Sequence, residues 1–514
     1  MKKNQKTHKD QPMSDLIRLR EPTLLFRHNQ AMEDPRDGLT LFGPLDTGKP
    51  YGVRAGVIGS KESIGRFKRW VKQIQGAVSS DPPHPFRPPF PGFEAIFRIP
   101  FDPEPRVQIE VLDKELHEAL FLDDKYHRVF NTVEIYSEKI IKHIKEEEVD
   151  VDLWFVIIPD EVRKYCRPQS TVSPDIRLKA EGKMSVKRAV SLQSEPSMFA
   201  EENVDALVYQ YEAHFHNQLK ARLLQYEALT QVILESTIAP NDFLNPFGYP
   251  KRKVDAPSTI AWNLMTASFY KTGGRPWKIA TIREGVCYIG LVFKQDERSG
   301  DPKAACCAAQ MFLDSGDGLV FKGDVGPWYN PDRGDFHLKY KAARELVETA
   351  IKTYANKWGE APREVFLHGK VRFDDEEWLG FSDAVPSSSN IVGIRIRDDK
   401  DLKLYRKGKY PVLRGLAYVR DNRTAFLWTK GFAPRVQTWL GKEVPKPLLI
   451  DINKGIPDIE TVLNDIMALT KLNYNSCMLA DGMPVTLRFA EAVGEILTAG
   501  PITGVPPLPF KHYI

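Results

Sequence analysis

The sequence predicts an α/β protein made of two successive sheet-and-helix units, and three stretches carry that expectation. Residues 151–159 are almost unbroken in apolar side chains, the pattern of a parallel strand buried on both faces. Residues 51–58, strand-like in composition, lead through Gly59-Ser60 into a helical pattern over 61–74, with Ser60 placed to cap it. Farther on, Val286-Cys287-Tyr288-Ile289-Gly290-Leu291-Val292-Phe293 reads as a strand. A second strand follows near 304–313, then a long helix with mixed faces within 335–358, then a strand at Glu364-Val365-Phe366-Leu367-His368-Gly369. Alternation of strand and helix in this order belongs to α/β units.

The remaining elements follow in chain order. Residues 1–12 are basic and polar with no apolar stretch behind them, so no secretory signal is expected, and residues 1–20 are expected to form a flexible tail. Leu39-Thr40-Leu41-Phe42 runs into the turn residues Gly43-Pro44-Leu45-Asp46. The proline-crowded span 79–92 reads as an extended connection into a strand over 93–99. A helix is expected from Asn131, as cap, to about 147, and another over 208–234. Residues 164–199 read as loops and short elements, and 240–257 as a turn-rich span; the second unit is expected to start near Trp277-Lys278-Ile279-Ala280.

Composition narrows the function classes. A chain of 514 residues is too long for one ordinary core and predicts two to four domains. No run approaches eighteen apolar residues, so no membrane span is expected. The cysteines, Cys166, Cys287, Cys306, Cys307 and Cys477, have neither metal-ligand spacing nor a disulfide framework, which points to a reducing cytoplasm. A formal charge of +4 permits a local nucleic-acid channel without demanding one. Gly43, Gly56 and Gly59 do not make a dinucleotide-binding glycine pattern, so no NAD site is expected in this chain.

The polar residues of most interest are His216, Lys220, Gln231 and Lys271. His216 and Lys220 are four apart and share a helix face, and Gln231 comes three helical turns after Lys220 if the helix continues. Lysine supplies a compact positive charge, and histidine and glutamine supply donors; a terminal phosphate offers more acceptor oxygens than an internal one. The same spacing also fits an ordinary amphipathic helix with Lys220 and Gln231 in water. Lys251-Arg252-Lys253 and Arg275 are long enough to reach phosphates, and equally common on plain surfaces.

These residues, with Lys271-Thr272-Gly273-Gly274-Arg275-Pro276-Trp277, resemble the guide 5′-end pocket of the MID domain of Argonaute proteins. Further resemblance lies in Asp34-Pro35-Arg36-Asp37-Gly38, Phe42-Gly43-Pro44-Leu45, Gly408-Lys409-Tyr410-Pro411-Val412-Leu413-Arg414-Gly415, Pro445-Lys446-Pro447-Leu448-Leu449-Ile450, Asn473-Tyr474-Asn475-Ser476-Cys477 and Asp481-Gly482-Met483-Pro484-Val485-Thr486-Leu487-Arg488-Phe489-Ala490. The whole resembles a short prokaryotic Argonaute, since no room remains for the additional domains of the long forms. The resemblance implies a Rossmann-like MID domain with an N-terminal extension over 21–275 and an RNase-H-like PIWI domain over 276–514. It implies that Lys220, Gln231 and Lys271 hold a guide 5′ phosphate and that His216 stands where an aromatic side chain stacks on the first base. The carboxylate of Ile514 would hold a Mg2+ ion against that phosphate. A further family lysine falls near Ala267, where this chain has none. Arg488 is placed to reach the guide or to form an ordinary ion pair.

The resemblance also speaks to catalysis and partners. Two-metal nucleases need several carboxylates converging on divalent ions. The family's acids fall at Val292 and near Gly369, and apolar or absent side chains cannot replace oxygen ligands, so a catalytically inactive PIWI domain is expected. Asp296, Glu297 and the run from Asp374 to Glu377 remain as an alternative acidic cluster. Short Argonautes pair with an effector carrying an APAZ region fused to a TIR or sirtuin-like NAD-consuming domain. The implied function is RNA-guided recognition of invading single-stranded DNA in antiviral and plasmid defence, in a heterodimer that oligomerises on activation. A stand-alone guide-dependent nuclease and a non-catalytic nucleic-acid-binding module are the alternatives.

Overall fold

The computed structural model describes residues 15–147, 149–295, 305–312, 318–322, 328–330, 334–501 and 508–514. Residues 1–14 of the expected tail, and Asp296 and Glu297, lie outside them.

The first unit is a four-stranded parallel sheet in the order Val107–Glu110, Ala55–Gly59, Leu153–Ile158, Thr230–Leu234. Its two central strands are buried at every residue, as the unbroken apolar run requires. Gly56 is needed between them: a β-carbon there would lie 2.6 Å from the Trp154 ring. The helix Lys61–Ile74 packs on this sheet through Ile64, Phe67, Trp70, Val71 and Ile74, and Ser60 caps it by accepting from Ser63 N at 3.2 Å.

Several elements differ from the sequence expectation, each for a local reason. The helix expected from Asn131 spans Lys125–Glu146, because Asp124 caps it, accepting from Tyr126 N at 2.9 Å and His127 N at 3.0 Å. Residues 93–99 are no strand: Phe93–Phe97 is a short helix that buries Phe93, Ile96 and Phe97, and Arg98 ends it in the left-handed region (φ 60°). The single helix expected over 208–234 is three elements, with helices Ala200–Val208 and Phe215–Leu223 and then the strand Thr230–Leu234. Glu227, left-handed at φ 51°, turns the chain, and pairing with Leu153–Ile158 draws the β-branched run into the sheet. Residues 39–42 lie in the helix Pro35–Phe42.

The second unit is a nine-stranded mixed sheet among the described residues. Its order is Asp15–Arg18, Leu416–Val419, Thr424–Trp428, Leu448–Lys454, Asn390–Asp398, Glu364–Gly369, Val286–Gln295, Ala305–Phe312, Gly318–Lys322. Glu364–Gly369 runs parallel to both its neighbours, and the other pairs are antiparallel. Asp15–Arg18, expected in the flexible tail, is thus an edge strand. Lys278–Ile279 does not open this sheet; it pairs with Leu24–Leu25 in a separate three-stranded sheet. The long helix is Tyr340–Trp358, since Asp335–His337 is a strand. On the other face lies the helix Val485–Leu497, close enough that a β-carbon at Gly290 would lie 1.9 Å from the Thr486 oxygen.

One apolar cluster joins the two units, running from Phe67 and Phe155 through Phe269, Trp277 and Tyr474 to Tyr288, Ile394 and Leu487. Polar links pin the same place: Trp277 Nε1 donates to the Lys471 oxygen at 3.0 Å and Tyr474 Oη to the Trp277 oxygen at 2.7 Å. Among the described residues no helix is long and apolar enough to cross a membrane.

Candidate anion-binding site

Three separate chain segments meet where the two units join. Phe215–Leu223 buries Phe215, Leu219 and Leu223 in the first unit's core, which leaves the His216 and Lys220 face for the junction. Lys271 is the last residue of Pro257–Lys271, and Gln231 the second of Thr230–Leu234. The C-terminal residues arrive over the second unit, anchored by Phe510, whose ring lies 4.4 Å from that of Phe489 and 6.1 Å from that of Phe312.

The ammonium of Lys220 donates to the main-chain oxygen of Ile514 at 2.6 Å and lies 3.5 Å from both Thr230 O and Thr230 Oγ1. That of Lys271 donates to Thr230 O at 3.0 Å and to Gln231 Oε1 at 2.8 Å. Lys220 and Lys271 are 3% and 1% exposed, and among the described residues no side-chain carboxylate pairs with either. Burial pushes the Lys220 pKa down to about 7, and burial together with the Lys220 charge pushes that of Lys271 well below its ordinary value.

Histidines complete the basic cluster. Burial, then the charge of Lys220, takes His216 down to about 3; its Nδ1 lies 3.3 Å from Asn217 Oδ1. Burial, then Lys511, Lys220 and Lys271, takes His512 down to about 4, and its Nδ1 is buried without a hydrogen-bond partner. Buried cations are costly unless paired. Two buried lysines, with His216 and His512 near enough to feel their charge and no acidic side chain paired to either lysine among the described residues, make a site suited to an anion. Ala267, one turn before Lys271, is buried and adds no charge.

His216, Lys220, Gln231, Lys271 and Ile514 therefore come together, although Gln231 does so from a strand and not from the Lys220 helix. Thr230 and His512 were missed by sequence reasoning. Thr230 acts through its main-chain oxygen, which no side-chain pattern announces; the basic pair Lys511-His512 beside Ile514 was the available signal for His512. The oxygens of Ile514 and Gln231, like that of Thr230, already accept from ammonium groups, so these residues do not by themselves fit a divalent cation.

The other basic residues stand apart from this cluster. Arg275 is ion-paired with Asp46. Arg252 donates to Ser236 Oγ at 2.7 Å and lies 3.5 Å from Asp160. Lys251 and Lys253 are exposed, and Arg488, also exposed, lies 3.4 Å from Asp481.

In the second sheet Val292 is buried and pairs with Ala308, and Gly369 pairs with Leu291 and Arg395. The nearby acids have partners. Asp451 accepts from Arg372 at 2.8 Å and Arg395 at 2.9 Å. Asp374 caps the helix Asp375–Ala384, and Asp375 pairs with Lys454. Glu377 accepts from Leu338 N at 3.0 Å and lies 2.8 Å from His337 Nδ1. Among the described residues no three His, Cys, Asp or Glu side chains are grouped to hold a metal.

No protein-family model and no curated protein matches the sequence. Solved structures do share the fold. Clostridium butyricum Argonaute bound to a guide DNA and a 19-mer target DNA superposes with a TM-score of 0.59 at 15% identity, over 96% of this chain and 54% of that one. Drosophila Piwi gives 0.56 at 12% identity, over 97% and 56%. Aa-Ago with externally bound siRNA gives 0.54 at 15% identity, over 98% and 56%. The chain thus shares the mixed α/β fold of these Argonaute structures and spans about half their length.

Proposed function

We propose that this chain is the guide-holding subunit of a nucleic-acid-guided sensor, with residues 21–275 as its Rossmann-like MID half and 276–514 as its RNase-H-like PIWI half. The buried pair Lys220 and Lys271, without an acidic side-chain partner among the described residues, carries the reading. A 5′ phosphate brings nearly two negative charges and several acceptor oxygens, and so restores the protonated form of both lysines that burial disfavours. Gln231 supplies an amide donor beside Lys271, and the partly buried His216 imidazole, held neutral, offers a face to the first base. The Mg2+ ion that the resemblance implies has no ligand set in this reading, because the Ile514 oxygen already accepts from Lys220.

In the finer form of the proposal the guide is RNA and the target invading single-stranded DNA. Pairing between them supplies sequence specificity, while the protein reads phosphates and duplex shape. Val292 and Gly369, standing where the resemblance puts acids, support a subunit that senses without cutting. The output is then NAD consumption by a TIR-APAZ or sirtuin-like-APAZ partner in the cytoplasm.

The test is NAD loss in the complex of this chain with its genomic neighbour, loaded with 5′-phosphorylated guide RNA, with and without complementary single-stranded DNA. Target-dependent loss is expected. Intact NAD alongside metal-dependent cleavage by the isolated chain moves the reading to a guide-dependent nuclease. Intact NAD without cleavage leaves a binding module.

A further inference from the structure

Beyond the strand Thr230–Leu234, at the end away from Lys220 and Lys271, the chain forms a small hairpin over residues 243–253 with an aromatic tip and basic residues at its closing end. Phe247 is 84% exposed and Tyr249 69% exposed. Phe and Tyr side chains of this size are ordinarily buried, and two on one tip mark a contact surface.

The tip is built and held. Asn245 Oδ1 accepts from Phe247 N at 2.9 Å and Tyr249 N at 3.1 Å, and Asn245 N donates to Tyr249 O at 2.7 Å. Gly248, at φ +79°, makes the turn. Lys251 N donates to Phe243 O at 2.8 Å, closing the base of the hairpin. Two arginines anchor that base: the Arg66 guanidinium lies 4.8 Å from the Phe243 ring centroid, and Arg252 binds Ser236. The two rings are therefore presented at little entropic cost on binding.

Charge selects the occupant. Lys251 and Lys253 are exposed where the hairpin closes, two and four residues after Tyr249, and among the described residues neither has a carboxylate partner. Asp242, the nearest acid before the tip, is already held by Arg66 at 3.0 Å and Arg69 at 2.7 Å. Exposed aromatic faces followed directly by exposed ammonium groups are the makings of a single-strand contact, in which bases stack and phosphates pair.

We propose that the 243–253 hairpin is a second nucleic-acid contact, in which Phe247 and Tyr249 stack on unpaired bases and Lys251 and Lys253 bind the flanking phosphates. The proposal rests on the nucleic-acid reading given above. It concerns nucleotides other than the terminal one, because the strand between the two places spans about 13 Å.

The test compares wild type with F247A/Y249A on three probes of equal length: 5′-phosphorylated single-stranded RNA, the same RNA with a 5′ hydroxyl, and a blunt duplex. Loss of the two rings is expected to weaken both single strands by about 10-fold or more, equally, and to leave the duplex unchanged. F247Y/Y249F should bind as wild type. Unchanged single-strand binding overturns the proposal, and so does an equal loss on the duplex. Failure of the terminal-phosphate pocket shows up elsewhere, as wild-type protein that does not distinguish the two RNA ends.

Discussion

Lys220 and Lys271 aim their ammonium groups at one acceptor, the main-chain oxygen of Thr230, at 3.5 and 3.0 Å. Burial disfavours both charged forms, that of Lys271 further for its nearness to Lys220, and an anion between them would offset that cost. The site's chemistry follows from that shared oxygen.

Replacing both lysines, K220A/K271A, should weaken 5′-phosphorylated RNA by about 100-fold or more and leave 5′-hydroxyl RNA nearly untouched, since each charge-assisted hydrogen bond is worth roughly 1.5–3 kcal/mol and two are lost. Filter binding at fixed salt measures the ratio. Equal losses for the two RNAs would show that the lysines do not hold the terminal phosphate.

The same burial gives a pH signature. Lys220 has a folded pKa of about 7 against an ordinary 10.5, so between those values the unfolded chain binds more protons and stability rises with pH. Below pH 7 the full penalty for the buried charge is present. The Tm of the empty protein should therefore gain on that of K220Q as pH goes from 7 to 9. Bound 5′-phosphorylated RNA should reverse the trend, because it needs the ammonium. Differential scanning fluorimetry of both proteins, with and without RNA, checks both halves.

How much of this was legible in the sequence depended on where each element takes its instructions. The strand Leu153–Ile158 carries its burial in its own side chains, and Ser60 sits where a cap belongs, so both could be read locally. The strand Thr230–Leu234 could not: its apolar spacing continues that of the preceding helix, and only a left-handed Glu227 and a strand from seventy-odd residues earlier separate them. Phe93–Phe97 has strand-like residues whose burial is met by a single helical turn. The pocket's charges were readable because lysines are conspicuous. Thr230 and the approach of His512 were not, because a main-chain oxygen and a tertiary meeting leave no local mark.

An acid at position 292 should be costly. Val292 is 7% exposed within the sheet, and V292D would bury a carboxylate with no built partner, lowering stability by about 2–4 kcal/mol. Urea denaturation reads this directly. A variant as stable as wild type would mean that the position already accommodates a carboxylate.

Trp277 joins the units through its ring and its donor. W277F keeps most of the apolar contact and leaves the Lys471 oxygen unpaired, a loss of about 1–3 kcal/mol. Unfolding should still occur in one transition, followed together by tryptophan fluorescence and far-ultraviolet dichroism. Two separated transitions would show that the shared cluster does not couple the units.

That shared cluster bears on how the molecule measures its ligand. With Trp277 and Tyr474 packed together in the cluster common to both units, rotating one unit against the other would have to break a shared core. If the function proposed above holds, a nucleic-acid strand bound across both units would have to fit a surface carried on one shared core. On that reading, a substitution that loosens the shared core should weaken binding of a long strand more than binding of a mononucleotide.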